Sequence, residues 1–233
     1  KLNIDGYKIY LPETWTKHGQ ARLIVYVCDT LKVKQIKISP QLDDLPIISM
    51  EIGIGRERKT VINLFYREWT SGITGDSTQA ATEDRLERQI HHWRELLQTN
   101  INKDFVFLGD QNLCALRWND DNYPANKKPL ANLVNEFMLE ENFTQIVNCY
   151  TRSESYDGRV VRSCLDHILT NVPSKCSKPI VQPFGNSDHM PIFITKYTKD
   201  LKLRPRTILK RAYKDFVAED FLADINDSNI HEV

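Results

Sequence analysis

The sequence predicts a mixed α/β domain, and three observations support that fold class. The length of 233 residues suits one large domain better than two small ones. Hydrophobic residues make up 41% of the chain, which is enough for a packed core. The predicted elements follow the order strands, helix, strand, helix, strands. This order favours a mixed sheet over a uniform βαβ alternation.

Short apolar runs, bounded by polar residues, Gly or Pro, predict the strands. The first four runs follow one another with short breaks, as in an antiparallel stack. The predicted strands are Leu23–Val27, Val33–Ile38, Ile47–Ile52, Val61–Phe65, Phe105–Leu108, Phe143–Cys149, Cys164–Thr170 and Met190–Tyr197.

Two segments have the periodicity of amphipathic helices. The first can be capped by Ser77 or Thr78, and its apolar stripe runs through Leu86, Ile90, Trp93 and Leu97. The second is predicted to span about Pro129–Glu141, because proline suits a first helical turn and an apolar stripe follows it.

The domain is expected to occupy residues 1–198, and residues 199–233 are expected to be a linker toward a downstream domain. Lys and Arg are frequent from Tyr197 to Lys214, but a solvated linker is favoured over a phosphate-binding arm. The chain opens without Met, so we expect it to be a piece of a longer protein. It shows no secretory signal, and no run approaches the ~20 apolar residues of a membrane span.

Charge and cysteine content exclude some classes of protein. Lys plus Arg and Asp plus Glu both total 31, so the net charge of zero does not by itself favour a nucleic-acid binder. The five cysteines are scattered without a CxxC pair, which argues against a zinc ribbon. They favour a reduced, intracellular compartment.

Three separate motifs carry residues that could do chemistry. The first is Gly-Asp-Gln-Asn, in which an aliphatic strand leads to Asp110 and Asn112. The second is Leu-Asp-His-Ile-Leu, where Asp166 lies in an apolar strand and needs a partner such as a histidine. The third is Ser-Asp-His-Met-Pro, with Asp188 and His189 at the start of the last strand. Each motif is weak alone, because Gly-Asp and Asn also form ordinary turns.

Together the three motifs supply what phosphodiester hydrolysis needs. The reaction requires a group that takes a proton from water, stabilisation of the phosphate oxygens and usually a divalent metal. The carboxylates, the amide and the imidazole of these motifs match those roles, and their oxygen-rich set suits Mg²⁺ or Mn²⁺ better than Zn²⁺.

In this order, the three motifs resemble those of the endonuclease/exonuclease/phosphatase superfamily. The resemblance implies a four-layered α/β sandwich with two mixed, mostly antiparallel sheets and Mg²⁺-dependent phosphoester hydrolysis. It implies that Asp110 activates the water and contributes to the metal site, with Asn112 beside it in the phosphate site. Asp166 is implied to orient the catalytic His189, and Asp188 to hold the metal or that histidine.

The resemblance is greatest to the endonuclease domains of non-LTR retrotransposon polyproteins. The segment Val61–Trp69 resembles their strand and Tyr-Arg-Glu-Trp loop, and Lys210–Leu222 resembles their downstream linker. Candidate substrate-binding residues follow from the Val61–Trp69 segment, from the loop after Asp110, and from Ser163, which sits where the resemblance implies a small polar residue that faces DNA. They are Asn63, Tyr66, Arg117, Trp118 and Ser163.

Two departures from the superfamily pattern stand out. Phe65 occupies a position where members commonly carry a catalytic tyrosine, and the adjacent Tyr66 is expected on the opposite face of its strand. The chain also starts after the strands that would carry an Asn and a metal-binding Glu, so the N-terminal strands are expected to be missing. Glu13 is interpreted as a loop residue and not as that glutamate.

The other histidines are expected to be structural. His91 and His92 lie beside Trp93 and are expected at the surface or half-buried, not as ligands. His167 is expected to point away from Asp166, because successive side chains of a strand alternate between faces.

The leading hypothesis is a Mg²⁺-dependent endonuclease that nicks duplex DNA for retrotransposon integration and is joined to a downstream reverse transcriptase. It would be intracellular, and nuclear when acting on DNA. We expect the fragment to be weakly active because the metal-binding Glu lies upstream. The alternatives are an abasic-site endonuclease or phosphomonoesterase of the same superfamily, and a degenerate remnant that only binds DNA.

Overall fold

The computed structural model describes residues 3–12, 22–53, 58–68, 78–114, 128–183, 187–198 and 217–227. Its centre is a six-stranded sheet of order β3-β4-β5-β6-β10-β7. These strands are β3 (Lys32–Ile36), β4 (Ile47–Gly53), β5 (Thr60–Tyr66), β6 (Asp104–Asp110), β10 (Asp166–Thr170) and β7 (Thr144–Gln145). The β5–β6 pair is parallel and the other pairs are antiparallel, which confirms the predicted mixed sheet.

Two helices cover one face of this sheet. They are α1 (Gln79–Thr99) and α2 (Lys128–Glu140). The side chain of Thr78 caps α1, as predicted, by accepting a hydrogen bond from the Ala81 amide at 3.3 Å. Trp93 lies at the centre of the packed layer, with ring centroids 5.1 to 5.3 Å from those of Phe65, Phe107 and Phe137. Burial of these large rings supplies much of the apolar driving force for this layer.

Short strands cover part of the opposite face. They form two-stranded sheets from β1 (Tyr7–Tyr10) with β2 (Val25–Cys28), and from β11 (Ile180–Val181) with β12 (Ile192–Phe193). The β1–β2 side packs on Ile48 and Met50, while Ile192 packs near Val106 and Ile168. The sheet is therefore buried between two layers of different construction.

A third two-stranded sheet is a hairpin that the apolar pattern does not reveal. It consists of β8 (Arg152–Tyr156) and β9 (Arg159–Ser163), joined by Asp157 and Gly158. Both turn residues have positive φ, +49° and +72°, as a tight two-residue hairpin turn requires. Val160 and Val161 are exposed, so no buried face marks this hairpin as a pair of strands.

Two predicted strands are much shorter in the structure. Only Thr144–Gln145 of the run Phe143–Cys149 and only Ile192–Phe193 of the run Met190–Tyr197 are β-strands. The apolar residues of these runs still pack: Val147 is buried and Ile194 contacts the cluster around Val106. Burial therefore explains why these two runs are apolar, although most of their residues do not pair in a β-sheet.

Contacts divide the chain into two compact units, Lys1–Leu201 and Lys202–Val233. In the second unit, the described residues include α3 (Ala218–Asp227), an amphipathic helix with exposed Phe221 and Leu222. The interpretation of residues 199–233 as a linker stays a prediction. No helix within the described segments is long and apolar enough to cross a membrane.

Candidate active site

Three of the predicted site residues lie in one row across the central sheet. The strand register pairs Tyr66 of β5 with Asp110 of β6, and Asp110 with Asp166 of β10. Directly paired residues point to the same face of a sheet. This is the face opposite the helices, because Phe65 packs against Trp93 on the helical side. Tyr66, and not Phe65, therefore shares the face of the two carboxylates.

The backbone around Asp110 is held in an unusual conformation. A Cβ atom at Gly109 would lie 1.8 Å from the Phe65 carbonyl oxygen, so only glycine allows β5 and β6 to approach here. Asn112 has a φ of +52°, in the left-handed region that asparagine tolerates better than most residues. Its amide donates to Oδ1 of Asp110 at 2.8 Å, which turns the chain back toward that carboxylate.

The side chain of Asn112 is buried and already engaged. Its Nδ2 donates to the Arg67 carbonyl oxygen at 2.6 Å. Burial raises the pKa of Tyr66, as does the nearby negative charge of Asp110. In the first motif, the Asp110 carboxylate thus faces the site, while the Asn112 side chain holds the backbone of the neighbouring Arg67.

His189 reaches the site from a distant part of the chain. Its Nδ1 lies 2.9 Å from Oδ2 of Asp166, so the predicted pair forms. Met190 donates its amide to the Thr151 carbonyl at 2.7 Å, while Ser153 donates its amide to the Asp188 carbonyl at 2.9 Å. The histidine is therefore fixed against the start of the β8–β9 hairpin.

Thr151 connects both ends of the Asp166–His189 pair. This buried residue accepts hydrogen bonds through Oγ1 from the amides of Leu165 and Asp166, at 3.0 and 3.1 Å. Its carbonyl holds Met190, the residue after His189. Thr151 is not among the residues predicted from the sequence, because a lone threonine before a polar hairpin carries no pattern that would identify it.

The carboxyl group of Asp110 has a raised pKa. Burial raises its pKa to about 6, and the charge of Asp166 adds to this rise. The Asn112 amide, His189 and Arg67 oppose the shift because each stabilises the carboxylate. A carboxyl group with a pKa near 6 is suited to exchange a proton at neutral pH.

Asp110, Asp166 and His189 also form a potential metal site. Each offers one ligand atom, and these atoms all lie within 4.8 Å of one another. The two carboxylates offer oxygen ligands, and the imidazole offers a nitrogen ligand, for a divalent cation. Asp188 lies outside this group: its carboxylate accepts from Arg152 Nε at 2.6 Å, and that hydrogen bond lowers its pKa. Its role as a metal ligand stays a prediction.

The other predicted substrate-binding residues lie in different environments. Asn63 is fully buried on the helical face, where Trp93 donates to its Oδ1 and its Nδ2 donates to Ser49. This corrects its assignment to substrate binding, because it stabilises β5 from the core side. Ser163 ends β9 and pairs with Arg152 beside the site. Arg117 and Trp118 lie outside the described residues.

One of the remaining histidines, His92, differs in burial from what was expected, and His167 does not. His92 is buried, with Nε2 2.9 Å from the Ser49 hydroxyl, so the expectation of a surface or half-buried position is wrong. His167 is buried with Nε2 3.2 Å from the Cys164 carbonyl oxygen, and burial lowers its pKa to about 4. Its structural role agrees with the alternation of side chains along β10.

The fold is similar to that of several solved proteins. The endonuclease domain of TRAS1, a telomere-specific non-LTR retrotransposon, superposes with a TM-score of 0.61 at 17% identity, over 85% of this chain and 83% of that one. The APE2 catalytic domain of Xenopus laevis gives 0.58 at 14% identity, over 85% and 79%. Truncated TDP2 of Caenorhabditis elegans gives 0.52 at 16% identity, over 82% and 76%. These likenesses confirm the predicted fold.

Comparison of the sequence with curated proteins gave no significant match. A family model described as endonuclease-reverse transcriptase matches residues 73–193, a span that includes Asp110, Asp166 and His189. This span is more than half of the 233 residues. The chain belongs to the endonuclease-reverse transcriptase family, within the endonuclease/exonuclease/phosphatase superfamily.

Proposed function

We propose that this chain is the Mg²⁺-dependent endonuclease that nicks one strand of duplex DNA for retrotransposon integration. The observation that carries the proposal is the convergence of Asp110, Asp166 and His189, from three distant motifs, within 4.8 Å. In the parent polyprotein a downstream reverse transcriptase would extend the 3′-hydroxyl released by the nick. The site of action would be the nucleus, where the target DNA lies.

A divalent cation held by Asp110 and Asp166 would neutralise charge on the non-bridging phosphate oxygens. The carboxylates supply the hard oxygen ligands that Mg²⁺ and Mn²⁺ prefer, and their paired register on β6 and β10 keeps them on one face. The family resemblance implies a further metal-binding glutamate upstream of Lys1. We therefore expect full activity to require that segment.

The protein groups would divide the hydrolysis between them. Asp110 takes a proton from the attacking water, whose oxygen forms a bond to phosphorus while the bond between phosphorus and the 3′ oxygen breaks. His189, oriented by Asp166, donates a hydrogen bond to the phosphate as negative charge develops there. The departing 3′ oxygen takes a proton from solvent water and becomes the 3′-hydroxyl, and Asp110 returns its proton to solvent. The phenol of Tyr66, whose residue pairs with Asp110 in the strand register, would contact the phosphate.

The β8–β9 hairpin is the proposed contact to DNA outside the reacting phosphate. Arg159 and Arg162 are exposed on it, and Arg152 at its base forms a β-bridge to His189. Arginines beside a phosphodiesterase site can bind backbone phosphates on either side of the scissile bond. The hairpin therefore suits the positioning of a duplex across the site.

Plasmid nicking tests this proposal. Supercoiled plasmid is incubated with the chain, and with the chain extended by its upstream coding segment, in Mg²⁺, in Mn²⁺ and in EDTA. We expect open-circular product only with metal, and a loss of about 10²-fold or more in Asp110→Ala and His189→Ala. The matched control is His91→Ala, because His91 is an exposed histidine on α1. Equal nicking by all variants would refute the assignment.

Substrate comparison separates the remaining alternatives. Faster cleavage of a duplex with one abasic site than of an intact duplex would favour an abasic-site endonuclease. Faster release of inorganic phosphate from inositol phosphates would favour a phosphomonoesterase. Salt-dependent DNA binding without metal-dependent cleavage, even in the extended chain, would identify a non-catalytic remnant.

A further inference from the structure

Two arginines flank β5 and make the same kind of contact at opposite ends of β6. Arg58, before β5, donates from Nε and Nη2 to the carbonyls of Asn102 and Lys103, at 2.6 and 3.1 Å. Arg67, after β5, donates from Nε to the Gln111 carbonyl and from Nη2 to the Asn112 carbonyl, the latter at 2.9 Å. Each guanidinium thus holds two successive carbonyls of the chain adjoining β6.

The two arginines differ in burial. The side chain of Arg58 is 45% exposed, whereas Arg67 as a whole is only 4% exposed. A buried guanidinium is costly unless hydrogen bonds replace its lost hydration. Burial lowers the pKa of Arg67 to about 10, so it stays charged at neutral pH. With only 4% of its surface exposed, Arg67 makes these hydrogen bonds inside the protein.

The hydrogen bonds of Arg67 close a ring with the loop that carries Asp110. The Arg67 amide donates to the Asp110 carbonyl at 2.9 Å, and the Asn112 side chain donates back to the Arg67 carbonyl at 2.6 Å. The Asn112 amide in turn donates to the Asp110 carboxylate at 2.8 Å. An unbroken series of contacts therefore joins the guanidinium to the orientation of that carboxylate.

We propose that Arg67 is a positioning residue that locks the 110–112 loop so that the Asp110 carboxylate faces Asp166 and His189. The planar guanidinium can hold two carbonyls at once, and the compact ammonium of a lysine cannot reproduce that geometry. This inference rests on the proposed function for its catalytic consequence. Its structural part, the locking of the loop, can be measured without any activity.

Three variants separate positioning from general stability. Arg67→Met removes the charge and both donors, Arg67→Lys keeps the charge, and Arg58→Met removes the equivalent contact at the remote end of β6. The first readout is amide hydrogen exchange at Gln111, Asn112 and Leu113, compared with the core amides of β5. The second is Mn²⁺ affinity by calorimetry, and the third is kcat and KM for plasmid nicking at a temperature where all variants are folded.

We expect exchange in the 111–113 amides to rise about tenfold or more in both Arg67 variants, while the core amides of β5 change little. Mn²⁺ affinity should fall several-fold, and kcat should fall about 10²-fold with KM within about twofold, because small misplacements of a catalytic group are costly. Arg58→Met should leave all three readouts near those of the parent chain. Full recovery in Arg67→Lys would overturn the proposal, because charge and not geometry would then matter.

Unchanged exchange in the 111–113 amides of Arg67→Met would also overturn it, whatever the activity. A uniform rise in exchange over all core amides would do the same, because Arg67 would then serve only global stability. If no protein nicks DNA even when extended by the upstream segment, but the loop amides and Mn²⁺ affinity respond as expected, the proposed function fails and the positioning role stands.

Discussion

Nδ1 of His189 lies 2.9 Å from Oδ2 of Asp166, although the two residues are 23 positions apart in the chain. Asp166 is part of β10, and His189 forms a β-bridge with Arg152 at the start of the β8–β9 hairpin. The contact between them therefore depends on the tertiary fold. A carboxylate at Nδ1 fixes the imidazole so that Nε2 is directed to a substrate. This relationship is the basis of the first prediction.

Asp166→Asn should lower kcat for nicking by about 10²-fold, since the neutral amide no longer orients and stabilises a protonated imidazole. The double variant Asp166→Asn/His189→Ala should be slower than His189→Ala by less than the loss in Asp166→Asn alone, because the two residues act partly as a unit while Asp166 also holds the cation. Multiplicative losses in this cycle would show that the two side chains act independently.

Asp110→Asn should be inactive yet more stable than the parent chain at pH 7.5 in EDTA. Burial raises the folded-state pKa of Asp110 to about 6, whereas the unfolded value is near 3.9. The folded protein therefore gains stability from protonated Asp110 at low pH. That contribution to stability is lost as the pH rises through about 6. After allowance for partial exposure, the gain at pH 7.5 is on the order of 1 kcal/mol. Urea unfolding at pH 7.5 and pH 4 checks it, and an equal gain at both values would contradict this explanation.

Exposed arginines of the hairpin should contribute to DNA affinity through phosphates. Arg159→Ala/Arg162→Ala should weaken binding of a non-cleavable duplex and reduce the slope of log affinity against log salt, because fewer counterions are released. Lys32→Ala/Lys34→Ala, on the exposed edge strand β3, is the matched control with the same change in charge. If the lysine control reduced the slope as much as the arginine variant does, binding would depend only on net charge.

Gly109→Ala should destabilise the protein strongly, by more than ~2 kcal/mol, since the added Cβ would lie 1.8 Å from the Phe65 carbonyl oxygen. Neither backbone can move without breaking the parallel β5–β6 register that brings Tyr66 beside Asp110. Gly53→Ala is the control, because its Cβ would meet only Lys59 side-chain carbons, at 3.6 and 3.9 Å. Thermal unfolding of both variants decides the matter: similar Tm values would show that the sheet tolerates the Gly109 change.

His92 should make the fold sensitive to acid. It is buried against Ser49, with Glu95 and His91 as the ionisable groups that influence it, and burial lowers its pKa. The unfolded chain therefore takes up a proton first, and stability falls as pH drops below the unfolded value near 6.5. His92→Gln should lose less stability than the parent between pH 7.5 and pH 5. His91→Gln, at an exposed position, should follow the parent; identical pH dependence in all three would exclude His92 as the cause.

Local pattern was sufficient to predict much of the fold. The helical stripe of α1 and the aliphatic strand before Asp110 are visible because periodicity and β-propensity act over a few residues. The β8–β9 hairpin was not predictable in this way, because its strands are polar or exposed and bury no face. Its only signal is the Asp157–Gly158 pair, which is common in turns of many kinds.

By itself, the sequence determined the order of the three motifs, the strands that carry Asp110 and Asp166, and the opposite directions of Phe65 and Tyr66. These follow from chemistry and alternation within single segments. Only the tertiary structure decided which row Tyr66 joins, that Asp188 pairs with Arg152, that Asn63 faces the core, and that Arg67 secures the Asp110 loop. Register and long-range hydrogen bonds join residues far apart in the chain, and such contacts leave no periodic trace in either segment.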